Sequence, residues 1–404
     1  MAGLVAVMII FFGWALIAGR LTRWSVTAPL AMVLLGMALT AGSDPLFVIN
    51  LETSAAESGV EVILAILLFL DATEVPAKAF RRQRGVIIRL LAIALPLSLG
   101  LAWLAGLVLF PDQNYWVLAL LATITVPIDL APAGPVLRDK RIPARVRESL
   151  NVESGFNDGL VAPVFLICLA GATAGAAGEP PLEALVEALP AVLVAVLVGL
   201  AIGAAGAWSM IKVFTAGWTE PSALRVGVLA LPLLSYGVAI LFAGNGFVAA
   251  FVAGICFGAA TRRLPADALH LTEDIGTMLT LVVWFIFGQV VNDTIGDGGL
   301  WGAVPYAAVG LTVVRMVPVF IALISSGVDL PDRFVIGWLG PRGLASIVFG
   351  LLAFIALNSP ENDSVATVMV ATVALSVVCH GLTVRMIGAW YDRRSDGLDR
   401  KMLS

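Results

Sequence analysis

The chain has 404 residues, 60% hydrophobic and 13% charged, with a formal net charge of −4 and a mean hydropathy of +0.99. Soluble domains do not carry so little charge, and no nucleic-acid partner is expected. Stretches near the ~20 apolar residues of a spanning helix recur along almost the whole length, so the bilayer is the expected solvent.

In chain order the hydrophobic segments are Leu4–Ala18, Thr27–Ala41, Gly59–Ala72, Leu90–Phe110, Tyr115–Val136, Leu150–Ala170 and Leu185–Ile211. Then come Val226–Ala243, Gly246–Ala260, Ile275–Val291, Leu300–Ser325, Phe334–Ala356 and Val365–Met386, about thirteen in all, with the Ala243/Gly246 division the least marked. No basic residue precedes the first segment and no small-residue cleavage site follows it, so it reads as a retained span. Cys168, Cys256 and Cys379 fall inside segments without paired spacing, which predicts neither disulfides nor a metal site.

Charge placement tests the segment count independently. Alternate connections hold Arg20 and Arg23; Lys78, Arg81, Arg82, Arg84 and Arg89; Arg138, Lys140, Arg141, Arg145 and Arg147; Lys212 and Arg225; Arg262 and Arg263; and Arg333. The tail adds Arg385, Arg393, Arg394, Arg400 and Lys401. The other connections carry acids only, among them Asp44, Glu52, Asp112, Glu179, Asp293, Asp297, Glu361 and Asp363. Because Lys and Arg concentrate in cytoplasmic loops, the N-terminus is expected outside and the C-terminus, with a short tail at 391–404, in the cytoplasm.

Setting these 22 aside, the 24 Lys and Arg residues leave Arg315 and Arg342, both within hydrophobic segments. A charge there costs about 2.5–3.5 kcal/mol even on the lenient insertion scale, so it needs a partner or a wet cavity. Asp129, Glu153 and Asp158 sit comparably deep, with Glu61 and Asp71 nearer the ends of the third segment. At ~1.5 Å per residue, Asp158 lies about 12 Å into its span and Asp129 about 20 Å into a span of opposite direction, so both are expected near mid-membrane. Two carboxylates at one depth can bind a dehydrated cation and take up protons when it leaves. That is the chemistry of an exchanger.

Around Asp129, the run Thr125-Val-Pro-Ile-Asp129-Leu-Ala-Pro132-Ala-Gly134-Pro135 opposes a regular helix, because each proline removes an amide donor. The fifth segment is therefore expected to be interrupted, with unwound carbonyls lining a cavity. Gly337-Trp-Leu-Gly340-Pro341-Arg342-Gly343 predicts a second interruption in the twelfth. If segments one to six and eight to thirteen are halves around a linking seventh, the two broken segments correspond and start on opposite sides. The expected fold is an all-α polytopic membrane protein of two inverted six-helix repeats with broken crossing helices.

In the sixth segment, Glu153-Ser154-Gly-Phe-Asn157-Asp158 puts Ser154 with Asp158 and Glu153 with Asn157 at i,i+4. Ser154 and Asp158 are expected to face the cation, and Glu153 to pair with Arg315 or, alternatively, Arg342, as a permanent structural pair. His380 is expected to be a packing residue and Asp71 to neutralise Arg81 or a neighbour. Gly199/Gly203 has the small-xxx-small spacing of helix packing. A membrane enzyme would show a nucleophile or metal cluster, and neither is evident; a passive cation channel stays open as the competing reading.

At this point the residues resemble the bacterial sodium/proton antiporter family, in the branch with Asn-Asp at the ion site. The resemblance runs nearly the whole length and is most specific from Pro127-Ile-Asp129 through Arg138-Asp-Lys-Arg-Ile-Pro-Ala-Arg-Val-Arg147 to Leu150-Asn-Val-Glu153-Ser-Gly-Phe-Asn157-Asp158-Gly. Leu68-Phe-Leu-Asp-Ala72, Arg315-Met-Val-Pro318 and Gly340-Pro-Arg-Gly-Leu-Ala-Ser346 are weaker echoes.

The resemblance implies a homodimer in the bacterial inner membrane, with dimerisation helices at about 1–42 and 182–260 and a mobile core at about 59–170 and 270–390. It implies Asp158 as the essential cation and proton carboxylate, Asp129 as the acid on the broken helix, Ser154 as a ligand and Asn157 as a holder of local geometry. It also implies electroneutral exchange of Na⁺ (or Li⁺, or K⁺) for one proton, without a cofactor. Ile128 departs from the family's usual threonine, which removes a hydroxyl ligand while leaving its carbonyl able to coordinate; Thr125 is a conceivable substitute.

Overall fold

The computed structural model describes residues 2–23, 27–42, 49–51, 53–74, 77–130, 139–173, 181–260, 263–296 and 298–402. Pro132, Gly134, Pro135 and Arg138 lie outside the described residues, as do Asp44, Glu52, Glu179, Arg262 and Asp297 and the side chains of Lys78, Arg400 and Lys401. Every regular element among the described residues is helical.

In chain order they are α1 (Ala2–Arg23), α2 (Ala28–Thr40), α3 (Ser54–Glu74), α4 (Ala77–Arg89), α5 (Leu95–Leu109), α6 (Tyr115–Thr125), α7 (Ala144–Thr173) and α8 (Pro181–Thr215). These are followed by α9 (Pro221–Leu241), α10 (Gly246–Ala260), α11 (His270–Gly296), α12 (Leu300–Leu311), α13 (Val313–Ala322), α14 (Leu330–Trp338), α15 (Leu344–Ala356) and α16 (Glu361–Met402). Among the described residues seven helices are long and apolar enough to cross a bilayer, and five shorter apolar helices accompany them.

Local chemistry accounts for the boundaries. Asn114 caps α6 by accepting from the Trp116 amide at 2.8 Å, as an N-cap side chain does. A π turn over Leu90–Ala94 joins α4 to α5 just ahead of Pro96, where widening the helix relieves the missing amide and the ring clash. Ala243, at φ +55, and the Asn245 cap on Val248 at 3.1 Å separate α9 from α10. Two differences from the sequence expectation stand out. The eleventh segment breaks at Thr312, whose hydroxyl bonds the Ala308 carbonyl at 2.6 Å, a competitor for helical bonding. The tail is helical as far as Met402, continuous with α16.

Close helix contacts rest on small residues. A Cβ on Gly199 would stand 2.6 Å from the Ala249 carbonyl, and one on Gly203 2.6 Å from that of Ala253. Hence α8 and α10 pack backbone to backbone, as the small-xxx-small spacing predicts. Phe165 of α7 stacks on Phe349 of α15 at 4.6 Å between centroids. Between those two helices and α6 the two interruptions meet.

Candidate functional site

The site begins where two helices stop. The last helical bond of α6 is Val126 N–H to the Ala122 carbonyl at 3.0 Å; Pro127 has no amide to continue it. On the other side α14 ends with Leu339 N–H on Val335 at 2.8 Å, and Pro341 stands before α15 resumes at Leu344. The two unwound stretches touch, the Asp129 amide donating to the Pro341 carbonyl at 2.7 Å. Both interruptions therefore lie where the proline content put them.

Each helix end at this crossing carries a partial charge, and each is answered by a full one. The Asp129 carboxylate accepts from the Leu344 amide at 2.8 Å, at the positive end of α15. Arg342, 1% exposed, donates through Nε to the Thr125 carbonyl ending α6 and through Nη1 to the Gly340 carbonyl beyond α14. Its Nη2 reaches the Gly310 carbonyl at 3.5 Å. Arg342 is thus occupied by backbone and is not the partner of Glu153. Arg315 takes that role, with Nη1 on Oε1 and Nη2 on Oε2 at 2.8 Å, and it also donates to the Ile336 carbonyl at 3.3 Å.

The face of α7 toward the first break is built by Ser154, Asn157 and Asp158. Ser154 Oγ accepts from the Leu130 amide and donates to the Ile128 carbonyl, each at 3.3 Å. Asn157 Nδ2 donates to the same carbonyl at 3.1 Å. A carbonyl has two lone pairs, so Ile128, whose backbone oxygen was a conceivable ligand, has none to spare. Its side chain is buried in an apolar cluster with Leu130, Ile336 and Leu339. Thr125 is no substitute: it is fully buried, with its methyl facing Gly310, and is absent from the cavity wall.

That cavity has a volume of about 300 Å³, and Asp71, Asp129, Ser154, Asp158, Glu273 and Thr277 are on its wall. Asp158 is 7% exposed, and its Oδ1 is buried without a hydrogen-bond partner among the described residues. Such an oxygen is costly unless something charged visits it. No group of three His, Cys, Asp or Glu among the described residues is close enough to cage a metal ion. Asp71, expected to neutralise Arg81 or a neighbour, lies on the cavity wall, as do Glu273 and Thr277, which no motif singles out. The signal available for Asp71 was a carboxylate inside a hydrophobic segment, one residue from its end at Ala72.

Outside the spans, the loop entering α7 is latched to the end of α16. Arg141 Nε and Nη2 lie 2.9 and 2.7 Å from the Asp139 carboxylate, and Nη1 lies 3.5 Å from Asp392. The Arg141 guanidinium holds the Asp139 carboxyl below the usual carboxylate range.

The chain is similar to known proteins in sequence and in fold. Residues 4–390 match the family described as sodium/hydrogen exchanger, transmembrane. The fold is similar to the sodium proton antiporter MjNhaP1 from Methanocaldococcus jannaschii at pH 8, with TM-score 0.80, 20% identity, and 96% and 98% of the two chains covered. In sequence it is 24% identical over 390 residues to the K(+)/H(+) antiporter NhaP of Alkalimonas amylolytica, covering 93% of this chain and 64% of that one. It is 22% identical over 387 residues to a Na(+)/H(+) antiporter of Schizosaccharomyces pombe, covering 84% and 79%.

Proposed function

The chain belongs to the sodium/hydrogen exchanger family of monovalent cation/proton antiporters, and from that premise we propose that it exchanges Na⁺ (or Li⁺) for H⁺ by alternating access around Asp158. The observation that carries this reading is the Asp158 carboxylate, which lines a cavity with Ser154 and Asp129 and has one buried oxygen without a partner among the described residues. Glu153 is neutralised by Arg315, and Asp129 faces the positive end of α15. Asp71 and Glu273 on the same wall are only half-buried, which leaves Asp158 as the buried charge that either a cation or a proton compensates, one for one and without net charge movement. Ser154, having given one lone pair to the Leu130 amide, keeps the other for the cation; Asn157 holds the unwound backbone in place.

K⁺/H⁺ exchange is the second reading. One relative carries that activity in its name, and Ile128 brings neither hydroxyl nor free carbonyl to the site. With fewer protein oxygens to repay dehydration, the more weakly hydrated K⁺ gains on Na⁺. Purified protein in acid-loaded proteoliposomes separates the readings: the transported cation dissipates the pH gradient and the others do not, whereas unitary currents would replace the exchanger with a channel.

The architecture proposed with this function has thirteen spans in two inverted six-helix repeats, with the N-terminus outside and the C-terminus in the cytoplasm of the bacterial inner membrane. The proposed core is 59–170 with 270–390, and helices in 1–42 and 182–260 form a homodimer. Exposed apolar rows on α1 (Ile9, Phe12, Leu16) and α8 (Leu189, Leu193, Leu197) support burial of these helices in lipid or against a second copy.

A further inference from the structure

A continuous helix through the second break would bond the Arg342 amide to the Trp338 carbonyl, four residues back. The Arg342 amide is buried and needs a partner; the half-buried Trp338 carbonyl takes the Gly340 amide at 2.8 Å on one lone pair and keeps the other. Both remaining sites are filled from α16. The Arg342 amide donates to Ser376 Oγ at 2.6 Å, Ser376 Oγ lies 3.1 Å from His380 Nδ1, and His380 Nε2 lies 2.8 Å from the Trp338 carbonyl. Ser376 and His380 are 0% and 1% exposed.

One assignment of protons makes this a directed chain. With the ring proton on Nε2, the imidazole donates to Trp338, Nδ1 accepts from the Ser376 hydroxyl, and Ser376 accepts from Arg342. The other neutral tautomer would donate from Nδ1 to the Ser376 carbonyl, 2.9 Å away, but would leave a nitrogen lone pair facing the Trp338 carbonyl. The grip is reinforced by the Trp338 indole, which donates to Thr383 Oγ1 at 3.0 Å.

We propose that Ser376 and His380 are positioning residues that splice the severed Arg342-to-Trp338 hydrogen bond, holding the second break at the spacing that seats the Arg342 guanidinium on the ends of α6 and α14. The splice leaves substrate contacts to α7 and the first break. Its consequence for transport rests on the exchange reading above. Its consequence for the backbone does not.

The test uses full-length protein with Ser376→Ala, His380→Ala and His380→Gln. Glutamine supplies one donor and one acceptor, as the neutral ring does. Hydrogen–deuterium exchange over residues 339–344 is expected to rise about 10-fold in Ser376→Ala and His380→Ala, the loss of one buried hydrogen bond, and to stay near wild type in His380→Gln. In proteoliposomes the alanine variants are expected to lose about 10-fold in maximal rate with the apparent cation KM unchanged, and His380→Gln to recover it. Unchanged amide exchange in Ser376→Ala overturns the splice, as does a His380→Gln variant that behaves like alanine. Should His380→Ala fail to fold, the other two variants decide. A wild-type protein without exchange activity would reject the transport reading alone, leaving amide exchange to judge the splice.

Discussion

At the scale of single residues, the deeply buried carboxylates divide into Glu153, which Arg315 neutralises, and Asp158. Glu153 and Arg315 satisfy each other in a buried, two-point contact, and removing one member of such a pair typically costs about 3–5 kcal/mol because the other is left charged and alone. Arg315→Met is therefore expected to lower the melting temperature of the purified protein sharply. The Glu153→Met/Arg315→Met double variant should recover much of it, since apolar replacement of both partners is often neutral. Equal losses in single and double variants, measured by thermal unfolding in detergent, would mean that the pair is not the unit described here. Asp158 differs in kind: one oxygen has no protein partner among the described residues, which is why the proposed exchange is centred on it.

At the scale of elements, the crossing is a problem in helix ends. Asp129 answers the start of α15 from another segment, through the Leu344 amide. An asparagine can still accept that bond, while an alanine cannot. Asp129→Ala is expected to cost about 1 kcal/mol of stability, as lost caps do, and Asp129→Asn clearly less. Both should raise the cation KM if the carboxylate also faces the ion. Denaturation and transport kinetics of the two variants together distinguish a cap from a cap that is also a ligand. Much of this element-level picture was legible beforehand. Hydropathy marked the helices, Pro127 and Pro341 marked both interruptions, and the i,i+4 face of α7 grouped Ser154 with Asp158. What could not be read were contacts set by packing between distant parts of the chain. Spacing alone left Glu153 with two possible arginines, kept Asp71 with a neighbouring basic loop, and allowed Ile128 a spare carbonyl. It also assigned His380 to packing, because nothing local says that a ring on α16 meets a carbonyl at the end of α14.

At the scale of the whole molecule, the described helices join into a membrane bundle whose two breaks are held from outside themselves: by α7, by α16, and by each other. On the loop side, Asp139 and Arg141 tie the approach to α7 to the end of α16. Because Arg141 lowers the folded-state pKa of Asp139, this latch contributes stability that is fully present above the ordinary carboxylate value of about 3.9 and is lost as pH falls through the lowered one. The stability difference between wild type and Asp139→Asn is thus expected to be constant near neutral pH and to shrink in acid. A difference that grows on acidification in thermal unfolding would reverse the sign argued here. The central claim concerns Asp158, and the most direct measurement is cation-driven dissipation of a pH gradient by proteoliposomes of wild type and Asp158→Asn. Rapid dissipation is expected from the wild type and none from a folded, monodisperse Asp158→Asn; exchange at the wild-type rate by that variant would exclude Asp158 as the exchanging carboxylate.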